Sequence, residues 1–235
     1  MKWLEDTLDS ISGQNYSNYA VCVVDDASTD KGQAEFIEEY CKAHDWSYIL
    51  RDEHVGAMAN QVAAINEICE NDDDIIVIVD GDDRLADPGV FSYLAHVYDR
   101  GTVDMTYGSY VPDPPSKTCP MPRPYPMEVV VNGDYRRWTR KHGIMFNHLR
   151  TFKYKLFRQM DEDVDFKWPN GEWFQACADT AIMIPALELS RGRWRHLTKT
   201  LYIYNSENPI SDWRKRADTI NKTHEYILGT LKRKV

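Results

Sequence analysis

The sequence predicts an α/β fold, a parallel sheet wrapped by helices. Two observations lead there. Short apolar runs alternate with helical patterns in the order α-β-α-β-α-β up to about residue 80, with short joins, the alternation a parallel sheet requires. Ile75-Ile76-Val77-Ile78-Val79 is then five β-branched residues in succession, a strand buried on both faces.

Residues 3–13 read as an amphipathic helix, with Trp3, Leu4, Leu8 and Ile11 on one face and Gly13 as its stop. Residues 20–24 form a short buried strand ending in Asp25 and Asp26. Ser28, Thr29 and Asp30 then offer N-caps to a helix running to about residue 43. Residues 46–50 are the next strand, and 55–69 a helix with Met58, Val62 and Ile65 inward. After the central strand come a helix over 88–98 and a strand over 104–111. Residues 112–126 carry seven prolines, which rules out helix and ladder pairing and marks an extended loop. Beyond it, 127–131 reads as a strand, 152–160 as a helix, and 173–189 as a long helix with a kink at Pro185. A strand over 196–204 and a closing helix over 213–231 complete the chain. No boundary divides the 235 residues into independent domains.

Hydrophobic residues make up 43% of the chain, enough for a sizeable core, and no apolar run approaches the ~20 residues that cross a bilayer. The net charge of −9 argues against general nucleic-acid binding. Five cysteines without a CxxC pair, and no secretory signal at the start, read as free thiols in the cytoplasm, with peripheral contact to a membrane left open.

The central strand ends in Asp80-Gly81-Asp82-Asp83. Unpaired carboxylates after so buried a run repel one another and resist desolvation. A divalent cation resolves that conflict, and hard oxygen ligands suit Mn²⁺ or Mg²⁺, with phosphate oxygens completing the shell. The competing reading is a strand-end turn whose acids cap the next helix.

Four pieces now stand in one order: Leu4-Glu5-Asp6-Thr7-Leu8-Asp9-Ser10-Ile11 with Gln14, then Val23-Val24-Asp25-Asp26-Ala27-Ser28-Thr29-Asp30, then Asp80-Gly81-Asp82-Asp83, then Ala178-Asp179-Thr180. Together they resemble the family 2 glycosyltransferases of the GT-A fold. That resemblance implies a GT-A-like mixed sheet flanked by helices, with residues 1–111 as a nucleotide-sugar-binding half and 127–235 as an acceptor-side half. It implies that Asp25, Asp26, Asp80, Gly81 and Asn60 contact the nucleotide-sugar, a UDP-sugar foremost. It makes Asp80 and Asp82 the holders of Mn²⁺ or Mg²⁺, and Asp179 the base that activates the hydroxyl of a glycan, lipid-linked or protein acceptor, with inversion at the sugar. The chain departs from the family by starting at the first helix, without the usual first strand, and by lacking an arginine beside Asn60.

Residues 136–158 carry eight Lys or Arg and no Asp or Glu. They read either as a mobile flap giving cations to phosphate or as a solvated face paired with the acidic remainder. His142, His148 and His196 are candidate further metal or phosphate contacts. A second reading, from a different class, is an inactive nucleotide- or sugar-binding module of the same fold. A nucleotidyltransferase would be expected to show a Gly-rich phosphate loop near the start, which this sequence lacks.

Overall fold

A computed structural model of the chain describes residues 3–117, 119–208 and 217–229. It opens with α1 (Leu4–Ser12), β1 (Cys22–Asp25), α2 (Gln33–His44), β2 (Ser47–Leu50), α3 (Ala57–Ile68) and β3 (Ile75–Ile78), in the predicted order. Next come β4 (Arg84–Leu85), α4 (Val90–Asp99), β5 (Met105–Asp113), α5 (Met127–Asn132) and α6 (Tyr135–His142). The last part holds β6 (Arg150–Lys153), α7 (Tyr154–Phe157), α8 (Glu162–Asp165), α9 (Ala178–Leu189), β7 (Trp194–Asn205) and α10 (Ala217–Gly229). Trp213 and the other ends of the expected closing helix lie outside the described residues.

Five strands form a mixed sheet in the order β3-β6-β5-β7-β4; β5 and β7 are parallel and the other neighbours antiparallel. Strands from before and after the Pro-rich stretch therefore interleave. The parallel pair β1–β2 forms a separate sheet, so among the described residues β1 pairs only with β2 and β3 only with β6. Ile76 and Ile78 pack into one apolar cluster with α3 and α9, while Ile75 and Val77 pack into another with α4. A strand covered on both faces has no polar alternation, as its sequence shows.

The parallel sheet expected from the alternation is instead mixed, with β5–β7 its one parallel pair among the described residues. Pro112 and Asp113, expected outside any ladder, extend β5 and pair with Tyr204 and Asn205; β6 pairs β5 only at Met105 and Thr106, so the opposite edge of β5 is open at Pro112. Three expected elements differ in type or start. Residues 127–131 were expected as a strand and form a helix. Pro126 precedes its first turn, Gly133 closes it at φ +62°, and Met127 and Val131, one turn apart, are both exposed while Val129 is buried. Residues 152–160 were expected as a helix, but Phe152 is fully buried in β6, between β3 and β5, and only one helical turn follows; packing overrides local propensity here. The helix expected from 173 begins at Ala178, because Cys177 takes a left-handed conformation at φ +62° and Trp173 bridges to Lys167. Pro185 sits inside that helix, which continues to Leu189.

The basic stretch 136–158 is not a free flap. Arg136 is buried and its guanidinium meets both carboxylate oxygens of buried Glu188, at 2.8 and 3.0 Å. Arg150 lies in the sheet interior, and Lys153, Lys155 and Arg158 pair with Asp73, Asp104 and Asp72. Acidic partners contributed by other elements anchor the run.

Candidate active site

The acidic turn is built by α1. The Thr7 hydroxyl, buried, lies 2.6 Å from the Asp83 carbonyl and 3.2 Å from the Gly81 carbonyl. Leu85 N–H donates to Ser10 Oγ, and Gln14 donates to the Asp87 carbonyl while accepting from Phe91 N–H. Thr7 and Ser10 on α1, with Gln14 just past its end, thus fix the backbone of the acidic turn and of the residues that follow it. Asp80 N–H donates to the Tyr202 hydroxyl at 3.0 Å.

Strand register then sets the charges. Ile78 is paired with Arg150, which places a buried guanidinium beside the strand end. Its Nη2 lies 3.3 Å from Asp80 Oδ2 and 3.3 Å from His148 Nδ1, and its Nη1 lies 3.4 Å from Asp179 Oδ2. Asp179 stands in the first turn of α9 and also accepts from Thr180 N–H at 2.7 Å. Asp80 and Asp179, 99 positions apart in the sequence, thus share one cation. Burial works against the Arg150 cation, but the Asp80 and Asp179 carboxylates outweigh it and hold it charged.

Burial raises the Asp80 pKa; Arg150 opposes this, and Asp82 and Asp179 add to it. Burial and then the Asp80 charge push the Asp83 carboxyl up to about 7. Asp83 Oδ1 accepts from Asn205 N–H at 2.6 Å, whereas its buried Oδ2 has no hydrogen-bond partner among the described residues. His148 stacks on Tyr202 with ring centroids 4.5 Å apart, and burial together with Arg150 keeps its ring neutral. One ligand atom each from Asp80, Asp83 and His148 lies within 4.8 Å of the others. Two carboxylates, one of them with an orphaned oxygen, and a neutral imidazole fit a divalent cation, so the residues present suit the metal expected from the sequence. Asp82 is not in this group; it accepts from Asn208 Nδ2 at 2.6 Å.

The other expected donor contacts gather beyond β1. Asp26 accepts from Val55 N–H and Gly56 N–H, at 2.8 and 3.0 Å, and lies 2.7 Å from His54 Nδ1. Burial raises its pKa, but the hydrogen bonds from Val55, Asn60 and Gly56 and the nearby His54 outweigh that and hold it below the usual carboxylate value. Asn60 also accepts from Arg51 Nε at 3.1 Å, so an arginine does stand beside it, supplied by the end of β2 rather than by α3. Buried Asp25 accepts from Gln33 and from Ser28 N–H, holding the β1–α2 loop. Sequence reading missed Thr7, Arg150, Asn208 and Tyr202 as parts of this site, although Thr7 and Arg150 lay in stretches it had singled out.

A mixed sheet with an acidic turn after a strand packed on both faces, faced by a carboxylate on a later helix, defines a protein of the GT-A glycosyltransferase fold. The chain matches the family model for glycosyl transferase family 2 over residues 1–165 and belongs to that family. Among solved structures it is similar to S. aureus TarS 1–349 in complex with UDP-GlcNAc, at 15% identity over 88% of this chain and 56% of that one, with a TM-score of 0.65. The mannosyltransferase PcManGT from Pyrobaculum calidifontis, in complex with GDP-Man and Mn²⁺, is 19% identical over 95% of this chain and 59% of that one, with a TM-score of 0.57. Against another TarS structure the chain spans 35% of that protein's length. At these identities the likeness is one of fold. No curated protein matches the chain. No helix among the described residues is long and apolar enough to cross a membrane.

Proposed function

We propose that the chain transfers a sugar from a nucleotide-sugar, a UDP-sugar foremost, to an acceptor hydroxyl with inversion and with Mn²⁺ or Mg²⁺. The observation that carries this reading is the Arg150 guanidinium between Asp80 and Asp179, which brings the acidic strand end and the helix carboxylate to one place. The donor's base and ribose meet Asp25, Asp26 and Asn60 on the 1–111 side, and its diphosphate lies over Gly81. Asp80, Asp83 and His148 would hold the ion, with Asp82, the ligand expected from sequence, on the same turn. When bound, the ion neutralises charge on the departing diphosphate.

Asp179 takes the proton from the acceptor hydroxyl as its oxygen bonds to the anomeric carbon. The bond from that carbon to the diphosphate breaks on the opposite face and leaves its electron pair on the diphosphate. One base is enough for this single displacement. Arg150 fixes Asp179 Oδ2 while the Thr180 N–H fixes Oδ1, so the carboxylate is oriented before substrate arrives. The acceptor is a glycan, lipid-linked or protein hydroxyl on the 127–235 side.

A second reading, a binding module without transfer, draws on the separation of β1–β2 from the main sheet, which leaves the donor-base end less braced. Thermal shift with a nucleotide-sugar panel, with and without Mn²⁺, followed by donor turnover, tests both. Mn²⁺-dependent stabilisation with turnover supports transfer; stabilisation without turnover supports the module.

A further inference from the structure

The closing helix α10 reaches the first turn of α9 at two points. Thr180 Oγ1 lies 2.8 Å from His224 Nε2, and Cys177 Sγ donates to the Ile220 carbonyl at 3.6 Å. Thr180 is fully buried. Its hydroxyl also stands 3.4 Å from Asp179 Oδ1. A hydroxyl offers one proton and two lone pairs, so one placed between a carboxylate and an imidazole can accept from one as it donates to the other. His224 is only half-buried, so this chain of groups leads from the candidate base to a ring that meets solvent. Of the neighbouring charges, Arg136 on α6 pairs with Glu188 on α9, and Arg140 on α6 with Glu225 on α10.

We propose that Asp179, Thr180 and His224 form a proton relay that resets the base after each turnover. The relay rests on the reading of Asp179 as that base. The proton that Asp179 has taken passes from its carboxyl to Thr180 Oγ1, while Thr180 gives its own hydroxyl proton to His224 Nε2. The imidazolium then releases its Nε2 proton to water as the Thr180–His224 contact opens, which leaves a neutral ring with its proton on Nδ1, and the starting arrangement returns when the contact re-forms. The long 3.4 Å separation from Asp179 belongs to the resting state. With the Thr180 proton directed at His224, nothing lies between Oγ1 and the ionised carboxylate. His224 touches no substrate; it acts through Thr180 as a positioning residue and proton acceptor.

Hydrolysis of UDP-GlcNAc and GDP-mannose, with water as acceptor, tests the relay in the full chain with Mn²⁺ present. His224→Ala should lower kcat about tenfold with KM unchanged, less than the ~10²–10⁴-fold typical of losing the base itself, and added imidazole should restore it. Thr180→Val should lose as much without restoration, and Thr180→Ser should stay near the parent. An unchanged kcat in His224→Ala, or a loss that imidazole leaves in place, overturns the relay. If Asp179→Asn is inactive while His224→Ala is not, the relay alone falls; if Asp179→Asn turns over at the parent rate, the reading of the base falls with it. A readout without turnover uses ¹⁵N-histidine spectra of the resting protein. The relay requires a neutral His224 ring with its proton on Nδ1 and Nε2 free to accept, and a neutral ring protonated at Nε2 overturns it.

Discussion

Arg150 Nη1 stands 3.4 Å from Asp179 Oδ2, tying the middle of the sheet to the first turn of α9, and the same guanidinium is 3.3 Å from Asp80. Arg150→Met leaves these carboxylates without their buried counter-charge. Breaking a buried pair in this way costs about 3 kcal/mol or more. Because the lost charge is positive, Mn²⁺ should raise the melting temperature of the variant by more than it raises that of the parent. Thermal scans with and without Mn²⁺ check this, and an equal response in the two proteins contradicts it.

Asp83 makes stability depend on pH in an unusual direction. Burial pushes its carboxyl up to about 7 in the fold, against an ordinary value of 3.8. The folded state therefore holds this proton more tightly than the unfolded chain does. The resulting stability is present below pH ~4 and is lost as pH rises through ~7. The metal-free parent should lose a few kcal/mol to this group across that window, and Asp83→Asn should lose less. Urea unfolding at several pH values measures the difference.

Asp82 and Asp83 can be told apart as ligands. Asp83 has an orphaned buried oxygen near Asp80 and His148, whereas Asp82 is engaged by Asn208. Calorimetry of UDP with Mn²⁺ should show the larger loss of affinity in Asp83→Asn. A larger loss in Asp82→Asn restores the assignment expected from sequence, with Asn208 released on binding.

The Arg136–Glu188 pair is 9% and 2% exposed at its side chains. Arg136→Gln should destabilise the fold by about 3 kcal/mol while leaving donor KM and its salt dependence unchanged, because the guanidinium faces α9 and α10 rather than phosphate. Denaturation and kinetics at two ionic strengths decide the matter; a raised KM in a stable variant would give the stretch back its phosphate role.

What the sequence disclosed follows from how local each signal is. The run from Ile75 announces a buried strand by composition alone, and its terminal acids raise the charge problem without any partner in view. β6 was illegible because Arg150-Thr151-Phe152-Lys153 carries charge at both ends, and its burial comes from β3 and β5, far away in the chain. A basic run reads as surface, so Arg136 and Arg150 could be seen as interior only with Glu188, Asp80 and Asp179 in place. Thr7, Ser10 and Gln14 lay inside a recognised pattern, yet their task, holding backbone more than 70 positions away, appears only in three dimensions. His224 carries no signal until α10 lies on α9.

The central claim is that Asp179 is the base of a sugar transfer. Its most direct measurement compares Asp179→Asn with the parent in turnover of the nucleotide-sugar that binds best, alongside calorimetry of that donor with Mn²⁺. The account predicts donor affinity within about twofold of the parent and turnover lower by ~10²–10⁴-fold. Turnover within a few-fold of the parent, with binding intact, would contradict it.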